Sequence, residues 1–498
     1  MSGQMPQRAV DSQATQLAKM LLDDVAVKFF RDPTGTAYAR FPTDHRREVA
    51  PIGSTVFRQW AAARFYALAG AVLSETAQRA ALGVIEAEAR QHGDVQSVFV
   101  RVGRVGYEVE TIYIDLADES GHVVEVTAFG WRTLANPDTP LFLRPPGLHP
   151  LPIPVPGGRL GELLHPFVNV AEPEHLHMIS FWMLAALCPQ GPYPVLVLTG
   201  EQGSGKSNTA RLLASLVDPR SPELLAGPLD ARDLMVVARH SWVLAFDNLS
   251  RIEPWLLDAF CRLSTGGGFV TRRLFTDADE MRFDAMRPMI LTGITDIVTR
   301  GDLLDRALII RLPPIPEDRR RAESEFWREF EGCRPRILGA LLDALALALG
   351  RLPHLQAPAL PRMADFARFS LAAAPSLGLS EREALGILGS AREEAVAVTL
   401  EYSPLVATVE ALANGQEPWV GTATDLLAKL RARTPDEERG RDFPATPRAI
   451  SEHLRRIAPA LRASGIDVTT GTRVGHKRSR LITIRRVTSS DTPQQGGS

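Results

Sequence analysis

The chain is poor in cysteine, in net charge and in long apolar runs, and each shortage excludes a class of protein. Three cysteines in 498 residues, with no CxxC pair, argue against both a disulfide framework and a zinc site. No apolar run approaches the roughly 18 residues that cross a bilayer, and the N-terminus lacks the apolar core of a signal peptide. A net charge of −2 gives no general attraction to nucleic acid, so such contact requires a local basic patch. We therefore expect a cytoplasmic protein with reduced thiols and no membrane span.

The proportion of apolar residues is high enough for several buried cores. Apolar residues make up 45% and charged residues 23%, and at roughly 150 residues per domain the length predicts about three domains. Eight prolines between residues 137 and 156 exclude a helix there and predict an extended linker. The segments that we predict are an N-terminal α+β domain (1–135), a proline-rich linker (136–160), a P-loop ATPase domain (161–315), a helical region (316–400), a winged-helix nucleic-acid-binding domain (401–486) and a disordered tail (487–498).

The N-terminal third shows regular patterns without visible chemistry. Helical spacing runs through Phe57–Arg90, and two hairpins are predicted, one from Val25–Phe30 with Thr36–Phe41 and one from Glu108–Leu116 with Val123–Phe129. Three acidic residues lie near the second turn: Asp115, Asp118 and Glu119. They would suit a metal ion, but acidic turn residues are usually a solvated loop, and no partner cluster supports a metal.

The most specific motif follows the continuous apolar strand predicted at Val195–Leu198. The next eight residues read Gly-Glu-Gln-Gly-Ser-Gly-Lys-Ser, a full match to GxxxxGK[ST], and a helical run comes directly after them. In such a loop the backbone N–H groups turn around phosphates, the lysine neutralises the β- and γ-phosphates, and the last hydroxyl reaches Mg²⁺. The residues that we expect to hold ATP are Gly200, Gly203, Ser204, Gly205, Lys206 and Ser207.

A second apolar strand, Trp242–Asp247, ends in the carboxylate that a P-loop site needs for its metal. Asp247 and Ser207 are therefore the predicted Mg²⁺ ligands. The following residue is Asn248 where a hydrolase usually has glutamate, and asparagine orients water but takes no proton. Glu253 or Glu201 would then assist. The alternative is that Asp247 only caps a helix beginning near Arg251.

The order of motifs from here resembles the superfamily-3 helicases of the AAA+ class, especially the ATPase part of phage and plasmid primase-helicases. The residues that carry the likeness are a glycine-containing turn and basic segment, Leu263–Phe275, followed by Met281–Phe283 and the strand Pro288–Gly293. The likeness implies an α/β fold with a P-loop AAA+ core, a parallel sheet covered by helices. It also implies a hexameric ring with the hairpin Val270–Phe283 facing a central channel, and with Arg272, Arg273 and Arg282 near DNA.

Two features depart from that family. The sensor strand normally ends in asparagine, for which Thr292 or Thr295 would be a weak substitute here, and the predicted hairpin tip is acidic. Further on, the resemblance nominates Arg306 first and Arg300 second as the arginine that reaches the nucleotide of the next subunit. The alternative for these arginines is an ordinary surface salt bridge with Asp305 or Asp302.

The C-terminal part concentrates positive charge. Residues 441–486 contain eleven Lys or Arg against three Asp or Glu, a local charge of +8. A helix to about Ala463, a strand, a basic turn and a second strand follow one another, and a helix at Thr422–Ala432 precedes them, as in a winged helix. The helix would enter a groove of DNA while the wing contacts phosphates, and the residues predicted to bind DNA are Arg455, Arg456, Lys477, Arg478 and Arg480. The alternative is a solvated basic face.

These observations predict an ATP-dependent DNA motor, a ring-forming helicase of phage or plasmid replication that hydrolyses ATP with Mg²⁺. Its partners would be DNA and further copies of the chain. A nucleotide-gated DNA-binding switch with slow hydrolysis is the alternative, because Asn248 and the missing sensor asparagine disfavour fast turnover. A small-molecule phosphotransferase also shares the P-loop, but the basic C-terminal part disfavours it.

Overall fold

The structure is a computed structural model, and it describes residues 11–105, 111–138, 140–249, 252–267, 269–272, 280–283, 285–293, 303, 306–356, 360, 363–401, 403, 405–415, 417–435, 443–474 and 479–487. Within these ranges the helices are α1 (Gln13–Asp23), α2 (Thr55–Ala69), α3 (Glu75–His92), α4 (Leu160–Leu164), α5 (Pro173–Ala186), α6 (Lys206–Val217), α7 (Ala231–His240), α8 (Pro254–Thr265), α9 (Glu323–Arg351), α10 (Ala364–Ala373), α11 (Glu381–Glu401), α12 (Val406–Ala413), α13 (Ala423–Arg433) and α14 (Pro447–Ala463).

The strands are short and fall into several sheets. They are β1 (Lys28–Arg31), β2 (Ala37–Pro42), β3 (Arg47–Pro51), β4 (Val98–Phe99), β5 (Val102–Arg104), β6 (Thr111–Asp115), β7 (His122–Thr127), β8 (Gly130–Ala135), β9 (Leu141–Phe142), β10 (Val195–Thr199), β11 (Leu244–Leu249), β12 (Phe269–Arg272), β13 (Glu280–Phe283), β14 (Met289–Gly293), β15 (Ala307–Arg311), β16 (Trp419–Thr422), β17 (Ile466–Val474) and β18 (Ser479–Arg486).

The first 82 described residues, 11–92, build a core of their own from the β1-β2-β3 sheet and the helices α1 to α3. The predicted first hairpin is confirmed, because β1 and β2 pair antiparallel with Lys28 opposite Arg40. The long helical pattern that we predicted here is two helices. Gly70 ends α2 in the left-handed region (φ 64°), and the Ser74 hydroxyl caps α3 by accepting from the Ala77 N–H.

The second predicted hairpin is also confirmed, and it is the middle of a four-stranded antiparallel sheet, β5-β6-β7-β8. This sheet packs on the long helix α9, where the Trp131 indole N–H donates to Asp343 Oδ1 (2.8 Å). Its apolar side chains belong to the same large core as α5, α6 and α9. The proline-rich stretch is anchored to that body too, since the Val155 N–H donates to the Pro335 carbonyl.

A parallel sheet in the order β11-β14-β10-β15 forms the centre of the molecule, as the sequence predicted. Successive side chains of β10 enter two different cores. Leu196 and Leu198 pack in the core that holds α5, α6 and α9, whereas Val195 and Val197 pack with α7 and α8. Helices therefore cover both faces, which explains why the strand is buried throughout and apolar from Val195 to Leu198.

A buried ion pair joins the antiparallel β5–β8 region to the end of α6. Arg101, fully buried with φ at 60°, donates from Nε to Asp218 Oδ1 (3.1 Å) and from Nη1 to the Asp115 carbonyl (2.7 Å). The other Asp218 oxygen accepts from the backbone N–H of Trp242 (2.8 Å). Each buried charge thus has fixed partners, which is the condition under which such a pair is tolerated in a core.

The C-terminal part has a core of its own, made by α12, α13, α14 and the antiparallel sheet β16-β18-β17. Ile450, Leu454, Ile457 and Leu461 of α14 are buried in it, on the face that their spacing predicted. Among the described residues, one helical stretch, Glu323–His354, is long and apolar enough to cross a membrane. Its apolar window is 61% buried inside the protein, as in a core helix.

Candidate nucleotide site and basic C-terminal surface

The loop between β10 and α6 has a backbone that only glycine adopts easily. Gly200, Gly203 and Gly205 have φ values of 145°, 82° and 83°. A Cβ at Gly200 would lie 2.4 Å from the Leu312 carbonyl oxygen, so even alanine would not fit there. Gly205 is the residue immediately before α6, and the N-terminal N–H groups of that helix therefore open into the loop. The glycine spacing of the motif thus produces the curled loop that phosphate binding requires.

Two polar side chains of the loop are arranged as in a site prepared for an anion. Lys206 Nζ donates to the carbonyls of Gly200 and Glu201, at 2.8 Å each, and so bridges the loop. The pKa of Lys206 lies below its ordinary value, because the effect of burial exceeds the opposing effect of the nearby Asp247 carboxylate. Ser204 is fully buried, and its hydroxyl has no hydrogen-bond partner among the described residues. A buried hydroxyl without a partner is costly unless a ligand uses it.

Four residues from three elements meet beside the loop. The Ser207 hydroxyl donates to Asp247 Oδ1 (2.9 Å), and the Thr292 hydroxyl donates to the same oxygen. The backbone N–H of Asn248 donates to Thr292 Oγ1 (3.0 Å). Thr292 is only 1% exposed, so its hydroxyl fixes the position of the carboxylate from inside the sheet. Thr292, which we predicted as a substitute for the sensor asparagine, here holds Asp247.

The strand that carries Asp247 is not the direct neighbour of the P-loop strand, because β14 lies between them. Asp247 nevertheless contacts Ser207 (2.9 Å), and β11 is irregular where it carries that carboxylate. Its register with β14 shifts between Phe246 and Leu249, and Asn248 has a left-handed φ of 54°. Asparagine tolerates this conformation better than glutamate does, which gives a local physical reason for Asn248 at this position.

The alternative role that we considered for Asp247, a helix cap, is wrong. Helix α8 begins at Pro254, its N-cap residue is Glu253, and no side chain caps it. Glu201, the other assisting acid considered, is exposed on the loop. The carboxylate of Asp247 instead faces the Ser207 hydroxyl, and oxygen donors of this kind suit Mg²⁺.

Ser207 and Asp247 thus fit a magnesium ion whose other positions would be filled by phosphate oxygens and water, as is usual for Mg²⁺. Among the described residues, no group of three or more His, Cys, Asp and Glu side chains could hold a metal by itself. Two of the three acidic residues near the second hairpin, Asp115 and Asp118, have side-chain partners. Asp115 is fully buried and accepts from Arg144 Nε (2.8 Å) and Nη2 (2.6 Å), and Asp118 accepts from His122. Asp115 is therefore not part of a solvated loop.

The arginines nominated by resemblance lie in different places. Arg306 precedes β15, where its carbonyl accepts from Val195 N–H (2.8 Å) and its own N–H donates to the Leu303 carbonyl (2.9 Å). Arg272 lies in β12 and Arg282 in β13, and the two strands pair antiparallel as predicted. Arg300, Arg273 and Thr295 fall outside the described residues.

Two of the basic C-terminal residues are exposed on the outside of the C-terminal core. Arg455 is exposed on α14, between the buried positions Leu454 and Ile457, and Arg480 is exposed on β18. Arg456 also lies in α14. Lys477 and Arg478, in the turn between β17 and β18, are outside the described residues. The helix and strand pair predicted here are confirmed, with one further strand, β16, at the sheet edge.

A cavity of about 480 Å³, which motif reasoning did not find, adjoins the loop. Gly203, Gly205, Asn208 and Thr209 form one wall of it. The other lining residues come from the segment before α5 and from the segment that joins β15 to α9 together with the first turn of α9: Pro166, Phe167, Val168, Asn169, Ile315, Pro316, Arg319, Arg320, Arg321, Glu323 and Phe326. These three segments are far apart in the sequence and meet only in the folded chain, so no sequence motif indicated the cavity.

Two family models match consecutive parts of the chain. Residues 162–386 match the actinomycete integrative conjugative element replication protein family (AICE_RepA), and residues 405–494 match the AICE RepA C-terminal domain. None of the curated proteins matches the chain significantly.

Similar solved structures include two of the apo NrS-1 C-terminal region. The first, its A form, is 11% identical with a TM-score of 0.42, covering 94% of this chain and 99% of that one. The second is 12% identical with a TM-score of 0.40, covering 96% of this chain and all of the other.

Proposed function

We propose that this chain, which belongs to the replication protein family of actinomycete integrative conjugative elements, is an ATP-hydrolysing DNA motor that acts as a ring-forming helicase in replication of the element. The family makes DNA replication the setting. The observation that carries the proposal is the contact between the P-loop hydroxyl of Ser207 and the Asp247 carboxylate, at 2.9 Å. A glycine-rich turn that bound nothing would not require that carboxylate.

Each residue of the site has a distinct task in this proposal. The backbone N–H groups at the start of α6 bind phosphate oxygens, and Lys206 leaves the carbonyls it bridges to neutralise their charge. Ser207 and Asp247 hold Mg²⁺, which stabilises the negative charge that develops on the phosphoryl oxygens. Thr292 keeps Asp247 in place. Asn248, exposed beside it, orients the attacking water by hydrogen bonding.

Arg306 lies at the wrong edge of the sheet to serve the nucleotide of its own chain. It precedes the strand β15 and bonds to Val195, at the start of β10, whereas the P-loop begins after Thr199 at the end of β10. Four residues of strand separate these edges by about 13 Å. If Arg306 completes a nucleotide site, that site belongs to a neighbouring subunit, as the ring requires. A structural role within β15 is the alternative.

DNA would be bound by two basic elements. The exposed Arg455 and Arg480 are on the C-terminal core, together with Arg456, and the paired strands β12 and β13 carry Arg272 and Arg282. In the winged-helix reading, α14 enters a groove while the turn between β17 and β18 contacts phosphates. The phosphate contacts of the turn would position the protein without selecting a sequence.

Steady-state ATP hydrolysis with and without single-stranded DNA tests the proposal. We expect Mg²⁺-dependent turnover that DNA stimulates, and loss of that turnover in Lys206→Ala. Arg211→Ala, a change of another basic residue on the same helix that pairs with Glu323 at 2.9 Å, serves as the matched control and should retain turnover. Failure of the parent protein to bind ATP at all would overturn the proposal.

A nucleotide-gated DNA-binding switch is the second candidate, and Asn248 is the observation that favours it. An amide cannot accept the proton of the attacking water, so hydrolysis through this residue would be slow. Under the switch reading, ATP binds tightly, DNA affinity changes with nucleotide, and turnover stays negligible with or without DNA. DNA-stimulated turnover in the experiment above would exclude it.

A further inference from the structure

The cavity beside the P-loop has the size and lining of a ligand pocket. Its volume of about 480 Å³ lies within the usual range for small-molecule sites. Phe167, Val168, Ile315 and Phe326 make much of its wall apolar, and Phe167 is 7% exposed. Ser207 and Asp247 do not line it, whereas Gly203 and Gly205 do. The loop thus separates a metal-side edge from an apolar pocket, and a phosphate chain held by the loop would connect the two.

Asn169 is the lining residue with a defined polar orientation. Its side-chain Nδ2 donates to two backbone carbonyls, those of Ser204 (3.1 Å) and Pro313 (2.6 Å). The amide oxygen of Asn169 could not take the place of this nitrogen, because the two backbone carbonyl oxygens are acceptors and have no hydrogen to donate to it. The nitrogen is therefore committed to the protein, and Oδ1 is the atom that remains for a ligand. An acceptor fixed in this way recognises a donor.

Part of the apolar wall is an aromatic cluster whose rings are fixed by contact with one another. Phe167 and Phe326 pack edge to face, with ring centroids 5.8 Å apart, and Phe167 packs likewise on Phe330 at 5.5 Å. Arg321 covers the Phe326 ring at 5.7 Å, and Arg319 and Arg320 also line the cavity. Apolar side chains and three arginines in one cavity together suit a nucleotide, which has a planar base and an anionic chain.

We infer that this cavity is the base pocket of the nucleotide site and that Asn169 Oδ1 selects purines with an exocyclic amino group at position 6, as in adenine. The oxygen accepts from that amino group, while the carbonyl that guanine has at the same position would face it as a second acceptor. This inference rests on the proposed function, since it requires a triphosphate on the P-loop. It adds a specificity residue that lies 31 residues before the motif.

Equilibrium binding of three triphosphates to the full chain with Mg²⁺ tests the inference. The probes are ATP, GTP and purine riboside triphosphate, which lacks the 6-amino group. The parent should bind ATP about tenfold more tightly than either analogue, the value expected for one unmade hydrogen bond at a partly buried acceptor. Equal affinity of the parent for ATP and purine riboside triphosphate would overturn the inference.

Variants of Asn169 separate selection from support of the loop. Asn169→Ala should lose the preference for ATP over purine riboside triphosphate, even if all affinities fall because two bonds to the loop are gone. Asn169→Asp replaces the Nδ2 donor with an oxygen that the Ser204 and Pro313 carbonyls repel, so it should lose the preference as well. A ratio that stays unchanged in Asn169→Ala would reduce the residue to a structural support. Lys206→Ala should weaken the binding of all three triphosphates alike, because the lysine contacts only the phosphates. If the parent protein bound none of the three triphosphates, the proposed function would be refuted, whereas equal binding of ATP and purine riboside triphosphate would refute only the base pocket.

Discussion

The nucleotide site and the basic C-terminal surface were both evident in the sequence, yet the structure builds them in opposite ways. At the P-loop, the polar side chains bond to one another, as Ser207 and Thr292 do to Asp247, and buried strands hold them. On α14, the apolar side chains are buried while Arg455 is exposed. The first site is a single connected geometry, and the second is a set of separate charges. Removal of one member should therefore be severe at the first and partial at the second.

The largest effect that we expect in this comparison comes from Asp247→Ala. The change removes the acceptor shared by Ser207 and Thr292 together with the predicted metal ligand. Turnover of ATP should fall by about 100-fold or more, because a metal contact supplies several kcal/mol of transition-state stabilisation. Steady-state hydrolysis at saturating ATP is the measurement, and DNA affinity in the absence of nucleotide should be unchanged.

Asp258→Ala is the control for that change, since it removes an acidic residue of α8 near the same strand, exposed to solvent. Its turnover should match that of the parent. If Asp247→Ala hydrolysed ATP at the parental rate, the nucleotide site would not be the connected geometry described above.

A smaller effect is expected from Thr292→Val, which keeps the shape of the side chain and removes its hydroxyl. Asp247 and the Asn248 N–H each lose a partner, so the carboxylate is less well positioned. We expect turnover to fall about tenfold, with the larger change in kcat, because misplacement of a catalytic group acts mainly on the chemical step.

Thr408→Val serves as the matched control, because Thr408 is 2% exposed in the C-terminal core, far along the chain from the loop. That variant should keep parental turnover and show only a modest change in stability. Parental kcat in Thr292→Val would mean that Asp247 is held without the hydroxyl, contrary to the positioning role given to Thr292.

The sequence predicted the nucleotide site as far as backbone rules reach. The glycines at 200, 203 and 205 predict positive φ values, and the continuous apolar strand before them predicts a buried parallel sheet. It could not predict that β14 separates β10 from β11, because strand order depends on long-range packing. Nor could it predict the irregular pairing at Asn248, for which an asparagine at the end of an apolar strand was the one signal.

Contacts between distant segments were beyond sequence reasoning altogether. Arg101 and Asp218 are 117 positions apart and pair in the interior, although each alone looks like an ordinary surface charge. Asn169 contacts the loop through the Ser204 and Pro313 carbonyls, and no motif includes it. In the C-terminal part, the apolar spacing of α14 was enough to place its buried face, whereas the charges indicate only where the surface is basic.

The smallest effect is expected from Arg455→Ala on the C-terminal surface, and it tests whether these charges act separately. Each phosphate contact that is lost should weaken DNA affinity a few-fold and reduce the slope of log affinity against log salt concentration by about one. Arg480→Ala should act alike, and the double variant should show the sum of the two changes, because independent sites are additive. Arg79→Ala, which removes an exposed arginine from α3 where it pairs with Glu75 at 2.7 Å, controls for total charge and should leave the slope unchanged. If the salt dependence of DNA affinity in the double variant equalled that of the parent, this basic face would only be solvated. Contacts with DNA through separate charges would then be left to the arginines of β12 and β13.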